Sequence, residues 1–250
     1  MSAPASGPGW RCIAHPALAA WAEAALPLAR AVLAASAEPW RCGGTWFVGV
    51  DALPNDAAGG IGGVALPCQV LCLAPQPLHR AQLSVMRPGY PQPDPGESPA
   101  AFAFRRDRGA AHLDGLLADA AGRRRVAEPH GFILGLPLTD CSPDAAPLTV
   151  WEGSAPILRA ALAAALAPHP PETWPSVDIT DAYVAARRAV LAQCPRRDLP
   201  LRPGQAVLLD RHLLHGVSPW SAHASAPPEG RIIAYFRPLL ASVADWLAAP

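Results

Sequence analysis

Two short stretches carry side chains suited to holding a metal ion. RRDRGAAHLDGL (residues 105–116) sets His112 and Asp114 two positions apart, and LRPGQAVLLDRHLLHGVSP (201–219) contains His215-Gly216. On a strand, residues i and i+2 point to one face. His112 and Asp114 can then reach a single ion while Leu113 turns away into packing. Taken alone, so short a motif reads first as a solvated or hydrogen-bonded pair. His215 lies 101 residues beyond Asp114, so a shared site requires two strands that meet in space. The glycine after His215 lets backbone or substrate approach closely.

A third stretch, GRIIAYFRP (230–238), opens with Arg231, whose planar fork matches a carboxylate at two points where lysine cannot. Arg237 shares its strand parity and lies about 20 Å farther along an extended chain, so one of the two is expected to reach a common pocket. Other polar residues have plainer readings. His212, three before His215, is an alternative ligand or a neighbour supporting one. His130 opens an apolar strand as a core histidine, and His15, His79, His169 and His223 receive no role. Ser218 reads as a turn residue or a carboxylate contact, Thr139 and Thr149 as sheet residues. Tyr235 and the tryptophans at 40, 46 and 151 either line a pocket or pack.

The elements expected to position these residues are mainly strands. TWFVGV (45–50), residues 64–73, AQLSVM (81–86), AFAFRR (101–106), HGFILGLPLT (130–139), PLTVW (147–151), GQAVLLD (204–210) and RIIAYFR (231–237) give about eight. Helices are expected at 16–37, interrupted at Pro27, and at 155–167 and 180–194. RPGYPQPDPGESP (87–99) is a long proline-rich loop of the kind that forms lids or binding segments. With no βαβ alternation, the expected fold is a double-stranded β-helix, or jelly roll, with helices at the N-terminus and in an insertion around 153–194. One domain over 1–250 is expected, with 1–9 disordered.

Composition narrows the function classes. All 20 basic residues are arginine and balance 20 acidic ones. Lysine-based Schiff chemistry and the lysine of a phosphate loop are thereby excluded. With no net charge and no basic stripe, nucleic acid is not an expected partner. The six cysteines form no CxxC pair, which fits reduced thiols in a cytoplasmic protein. The apolar stretch at 17–35 carries Glu23, Pro27 and Arg30, so neither a membrane span nor a secretory leader is expected. The expected partner is a small-molecule substrate. Oligomeric state is not legible.

In this order, H-x-D, then H-G, then R resembles the signature of iron(II)/2-oxoglutarate-dependent oxygenases, and within them the phytanoyl-CoA dioxygenase-like family. The similarity runs over roughly residues 81–238. It is carried by RRDRGAAHLDGL, LPLTDCSPDAAPLTVWEGS (136–154), GQAVLLDRHLLHGVSP (204–219) and RIIAYFRP (231–238). Departures from the family are Glu152 and Ala155, where it commonly has a proline and a histidine, and the 16-residue spacing from His215 to Arg231.

The resemblance implies a metal site of His112, Asp114 and His215 for Fe(II), with Arg231 holding the far carboxylate of 2-oxoglutarate. Two imidazoles and a carboxylate on one face of an iron(II) octahedron leave three positions open. The implied reaction turns 2-oxoglutarate and O2 into succinate and CO2 while oxidising a small organic molecule, by hydroxylation first of all. Asp114 keeps the carboxylate that the family's halogenases lack. Two other readings share these residues. One is a cupin-like metalloenzyme that does not use 2-oxoglutarate, the other a jelly-roll binding protein without catalysis. The loop 87–99 and the tryptophan-bearing first third are expected to shape substrate choice.

Overall fold

The computed structural model describes residues 7–248. Its strands are β1 (Trp10–Ala14), β2 (Trp46–Gly49), β3 (Gln82–Met86), β4 (Leu116–Ala118), β5 (Arg124–Val126), β6 (Phe132–Pro137), β7 (Leu148–Trp151), β8 (Arg196–Leu199), β9 (Gln205–Asp210), β10 (His215–Val217) and β11 (Arg231–Phe236). The α-helices are α1 (Pro16–Ala35), α2 (Pro99–Arg108), α3 (Ser154–Leu166), α4 (Thr180–Gln193) and α5 (Val243–Leu247).

Antiparallel sheets form the framework. Six strands pair in the order β1-β9-β6-β11-β3-β2, three in the order β10-β7-β8, and β4 pairs with β5 as a small hairpin. Residue 112 adds to the three-stranded sheet through a bridge between His112 and His215. From β3 onward the chain passes repeatedly between the two larger sheets. β3, β6, β9 and β11 lie in one, and residue 112, β7, β8 and β10 in the other.

Alternation along the strands divides the buried residues into layers. Leu134 and Leu136 of β6, Ala206 of β9 and Ile232, Ala234 and Phe236 of β11 pack outward with Leu18, Trp21, Ala22, Ala25 and Ala29 of α1. By length and composition α1 is apolar enough to cross a membrane, and its buried face lies on this sheet. It runs unbroken through Pro27, so packing outweighs the cost of about 3 kcal/mol for an interior proline. Ile133, Val207 and Leu209 pack inward against Leu148 and Val150 of β7 and Leu199 of β8, filling the space between the sheets. Trp151 points the other way, into a core with Leu158, Leu162, Tyr183 and Val190 of α3 and α4.

Several expected elements differ. AFAFRR is not a strand but part of α2. Its alternating apolar residues suggested a period of two, yet Ser98 caps the helix by accepting from the Ala101 N–H, Pro99 occupies the first turn, and Gly109 closes it in the left-handed region at φ 56°. These local signals decide the backbone. The 64–73 run is also not a strand. Its bonds are local turns, from Leu71 N to Pro67 O and from Cys72 N to Gln69 O, while Leu66 and Leu71 reach the α1 core. Of the tail expected to be disordered, residues 1–6 lie outside the described residues. The carbonyls of Pro8 and Gly9 accept from Gly153 N at 3.3 Å and Asp210 N at 2.8 Å.

Candidate metal centre

His112 and His215 are brought together by the bridge between them. Their backbones exchange hydrogen bonds, His112 N to His215 O at 2.8 Å and His215 N to His112 O at 3.1 Å. His215 stands opposite Val150 in the β10–β7 register, and residues opposite one another share a face. Val150 packs between the sheets, so His215 faces the same space. Leu113 turns to the other side as the alternation requires, into the helical core, where its N–H donates to the Tyr183 hydroxyl at 3.2 Å.

Close backbone contact holds the two histidine segments in place. A Cβ added to Gly216 would stand 2.1 Å from Gly109 O, and Val217 N donates to that carbonyl at 3.0 Å. Gly216 is therefore the residue that lets the end of α2 lie against β10. Gly115, at φ +84°, plays a similar part after Asp114, because a Cβ there would lie 2.0 Å from Glu128 O.

The three side chains converge. Asp114 Oδ1 lies 3.2 Å from His112 Nε2 and 3.8 Å from His215 Nε2. The imidazole centroids are 4.6 Å apart, and one ligand atom from each of the three residues falls within 4.8 Å of the others. His112 Nδ1 faces Ala110 O at 3.0 Å and His215 Nδ1 faces Leu213 O at 2.9 Å. With Nδ1 donating to a carbonyl, each ring turns Nε2 toward Asp114, the arrangement that orients metal-binding histidines, and on His112 that Nε2 carries the proton a metal would replace. The His112 side chain is 49% exposed, against 13% for Asp114 and 8% for His215. The centre is thus open on the His112 side.

Electrostatics suit a cation. Burial alone would raise the Asp114 carboxyl. The hydrogen bond from His112 and the charges of His215, His112 and Arg237 overcome it and hold the group well below the usual carboxylate range. Burial pulls His112 down, but its bond to and charge attraction for Asp114 prevail, and its pKa is raised. His215 is lowered to about 4, by burial first and then by His112. Two imidazoles and one carboxylate form the donor set of open iron(II) sites. The residues present fit that ion.

Odd-numbered residues of β11 face the same inter-sheet space, since Tyr235 packs with the inward cluster while its even-numbered neighbours pack with α1. Arg231 opens the strand opposite Met86. Its side chain is buried, and among the described residues its Nε has no hydrogen-bond partner. Burial pushes the Tyr90 and Tyr235 phenols up, and Arg231's charge opposes this in both. Arg237, just past the strand, gives Nη1 to Asp114 Oδ2 at 3.2 Å and Nη2 to Gln82 Oε1. Sequence reasoning missed Gln82, because only the pairing of Gln82 with Tyr235 shows that it faces inward.

Other candidates lie elsewhere. His212 is buried against Trp246, with ring centroids 4.3 Å apart, and its backbone N–H donates to Asp210 Oδ1 at 2.7 Å. Ser218 donates to Asp198 at 2.6 Å and accepts from Arg196 at 2.8 Å, while Thr139 accepts from Ile232 N at 2.8 Å. Glu152 bonds Trp10 Nε1 and Arg197, and Trp151 packs among helices. A cleft of about 520 Å³ lined by Trp10, Phe132, Arg159, Leu209 and His212 opens away from the convergent side chains, none of which lines it.

No protein-family model matches the chain, and no curated protein matches it. Among solved structures, the chain is similar to the non-heme α-ketoglutarate-dependent carbocyclase SnoK from nogalamycin biosynthesis. Identity is 13% over 92% of this chain and 80% of that one, with a TM-score of 0.48. The α-ketoglutarate-dependent epimerase SnoN, from the same biosynthesis, gives 12% identity over 91% and 77%, with a TM-score of 0.46. EctD from S. alaskensis with bound Fe gives 13% over 92% and 72%, with a TM-score of 0.40. At such identities and scores the site stands on its own side chains.

Proposed function

We propose that this chain is an iron(II)/2-oxoglutarate-dependent oxygenase of the phytanoyl-CoA dioxygenase-like kind, acting on a small organic molecule in the cytoplasm. The observation that carries the reading is the convergence of His112 Nε2 and His215 Nε2 on Asp114 Oδ1, with both Nδ1 atoms tied to carbonyls. The repeated passage between two antiparallel sheets fits a double-stranded β-helix, a single domain with its site in the mouth between them. All six cysteines are free, which suits a reducing compartment.

His112, Asp114 and His215 would hold Fe(II). Bound there together, iron and 2-oxoglutarate would supply the oxidising power, with 2-oxoglutarate and O2 giving succinate and CO2 as the substrate is oxidised. The chain's own residues do the placing. Arg231, buried on the inward face with its Nε unpartnered, is suited to pair with the far carboxylate of 2-oxoglutarate. Arg237 shares an unpartnered Nε but is less suited, because both of its terminal nitrogens are engaged. Tyr235 lies between the two arginines along the strand, and hydrocarbon walls from both sheets limit water behind it.

The test is an anaerobic titration of metal-free protein with iron(II) and 2-oxoglutarate, followed by visible charge-transfer absorbance. Wild type should develop the band and His112→Ala should not. Arg231→Met should bind iron normally yet need at least about tenfold more 2-oxoglutarate, the loss expected of a charge-assisted pair. Iron binding without a band would point instead to a cupin-like metalloenzyme. No iron binding at all would leave a jelly-roll binding protein.

A further inference from the structure

We infer that Arg237, braced by Gln82, confines Asp114 to a single ligating oxygen and so sets how many positions on the metal stay open. This rests on the metal reading above. The two oxygens of Asp114 have different surroundings. Oδ1 faces both imidazoles, at 3.2 and 3.8 Å. Oδ2 receives Arg237 Nη1 at 3.2 Å.

The guanidinium is held from several sides. Its Nη2 donates to Gln82 Oε1, and Gln82 stands opposite Tyr235 in the β3–β11 register. The Arg237 N–H donates to His79 Nε2 at 2.7 Å, and its carbonyl accepts from His130 Nδ1 at 3.0 Å. Backbone and fork are therefore both fixed, and a rigid planar donor held this way cannot follow Asp114 if the carboxylate rotates.

A carboxylate binds a cation through one oxygen or through both. Rotation of Asp114 to present both would break the charge-assisted bond to Arg237 inside the protein, where such bonds are strong. With Oδ2 kept on Arg237, His112, Asp114 and His215 would each offer one atom to the metal, and three positions of an octahedron would stay open. Bidentate Asp114 would occupy one of those. A cosubstrate that chelates through two atoms would then leave no position for a third ligand. Arg237 acts through Asp114 and not on substrate, so it is a positioning residue, with Gln82 behind it.

The experiment loads metal-free protein with Mn(II), which accepts the same oxygen and nitrogen ligands. Bound waters are counted from the broadening of its magnetic-resonance lines in water enriched with a magnetic oxygen isotope. Wild type should carry three waters and Arg237→Met two. Arg237→Lys, which keeps a charged donor near Oδ2, should return toward three. Gln82→Met should lower the count as Arg237→Met does, and it carries the test if the arginine variant does not fold. A packing role would lower the melting temperature and leave three waters. Three waters in either folded variant would overturn the inference while leaving the metal site intact. Failure of wild type to bind Mn(II) would remove both.

Discussion

His112 is the member of the centre that a proton contests. Its pKa is raised by Asp114, whereas His215 is lowered to about 4 and stays neutral. A metal must displace the proton on His112. Apparent affinity should therefore climb about tenfold per pH unit on the acid side of the raised pKa, which lies above 6.5. At higher pH it should flatten. Isothermal titration with Mn(II) across that range checks it, and an affinity already independent of pH at 6 would contradict the assignment. That His112, Asp114 and His215 could meet was legible in the sequence, because the first two are close in the chain and the order of all three is distinctive, and the structure brings these three side chains together. The partner of Asp114 was not legible. One of Arg231 and Arg237 was expected in the pocket, yet both lie on the inward side, and it is Arg237 that reaches Asp114, a contact set by the pairing of residues far apart in the chain.

At the scale of elements, the centre depends on α2 lying against β10. Gly216→Ala would force a methyl to within 2.1 Å of Gly109 O, and a backbone carbonyl cannot yield as a side chain can. A loss of about 1–3 kcal/mol is expected from such overpacking, together with weaker metal binding as His215 shifts from His112. Ser98→Ala makes a useful comparison. It removes the cap at the far end of α2 and should cost about 1 kcal/mol while leaving metal affinity unchanged. Urea melts and metal titrations on the two variants separate these outcomes. Helices α3 and α4 and the long apolar strands were legible from periodicity. The AFAFRR segment was not, because alternation over six residues outvoted the cap signals on either side. The polar strand β8 (RRDL) carries no apolar pattern, and the three-residue strands β4 (LLA) and β5 (RRV) are too short to show an alternation that would reveal them.

For the whole molecule, the layers share walls. The six-stranded sheet is one face of the α1 core and one face of the inter-sheet core, and Trp151 carries the three-stranded sheet into the helical core. The C-terminal segment is tied in by Arg211, which donates to the carbonyls of Trp246 at 2.8 Å and Ala248 at 2.7 Å. One cooperative unfolding transition is the expected result. Trp21 is buried in the α1 core and Trp151 and Trp246 in the helical core, so tryptophan fluorescence should lose its native signal at the same urea concentration as far-ultraviolet dichroism. A fluorescence change well ahead of the dichroism would show that one layer opens alone.

β11 also divides its duties by alternation, and this has a consequence for how the protein tolerates change. Random substitution along that strand should give a comb-like record. Cellular abundance should drop at positions 232, 234 and 236, whose side chains support α1. Among variants that remain abundant, losses of turnover should gather at 231, 235 and 237. Replacing Arg231 with an apolar residue of similar size removes a buried charge with an unpartnered nitrogen, so such variants should be as abundant as wild type or more so. A descendant could thus change what lines the space between the sheets and keep its shape, by altering alternate residues of a single strand.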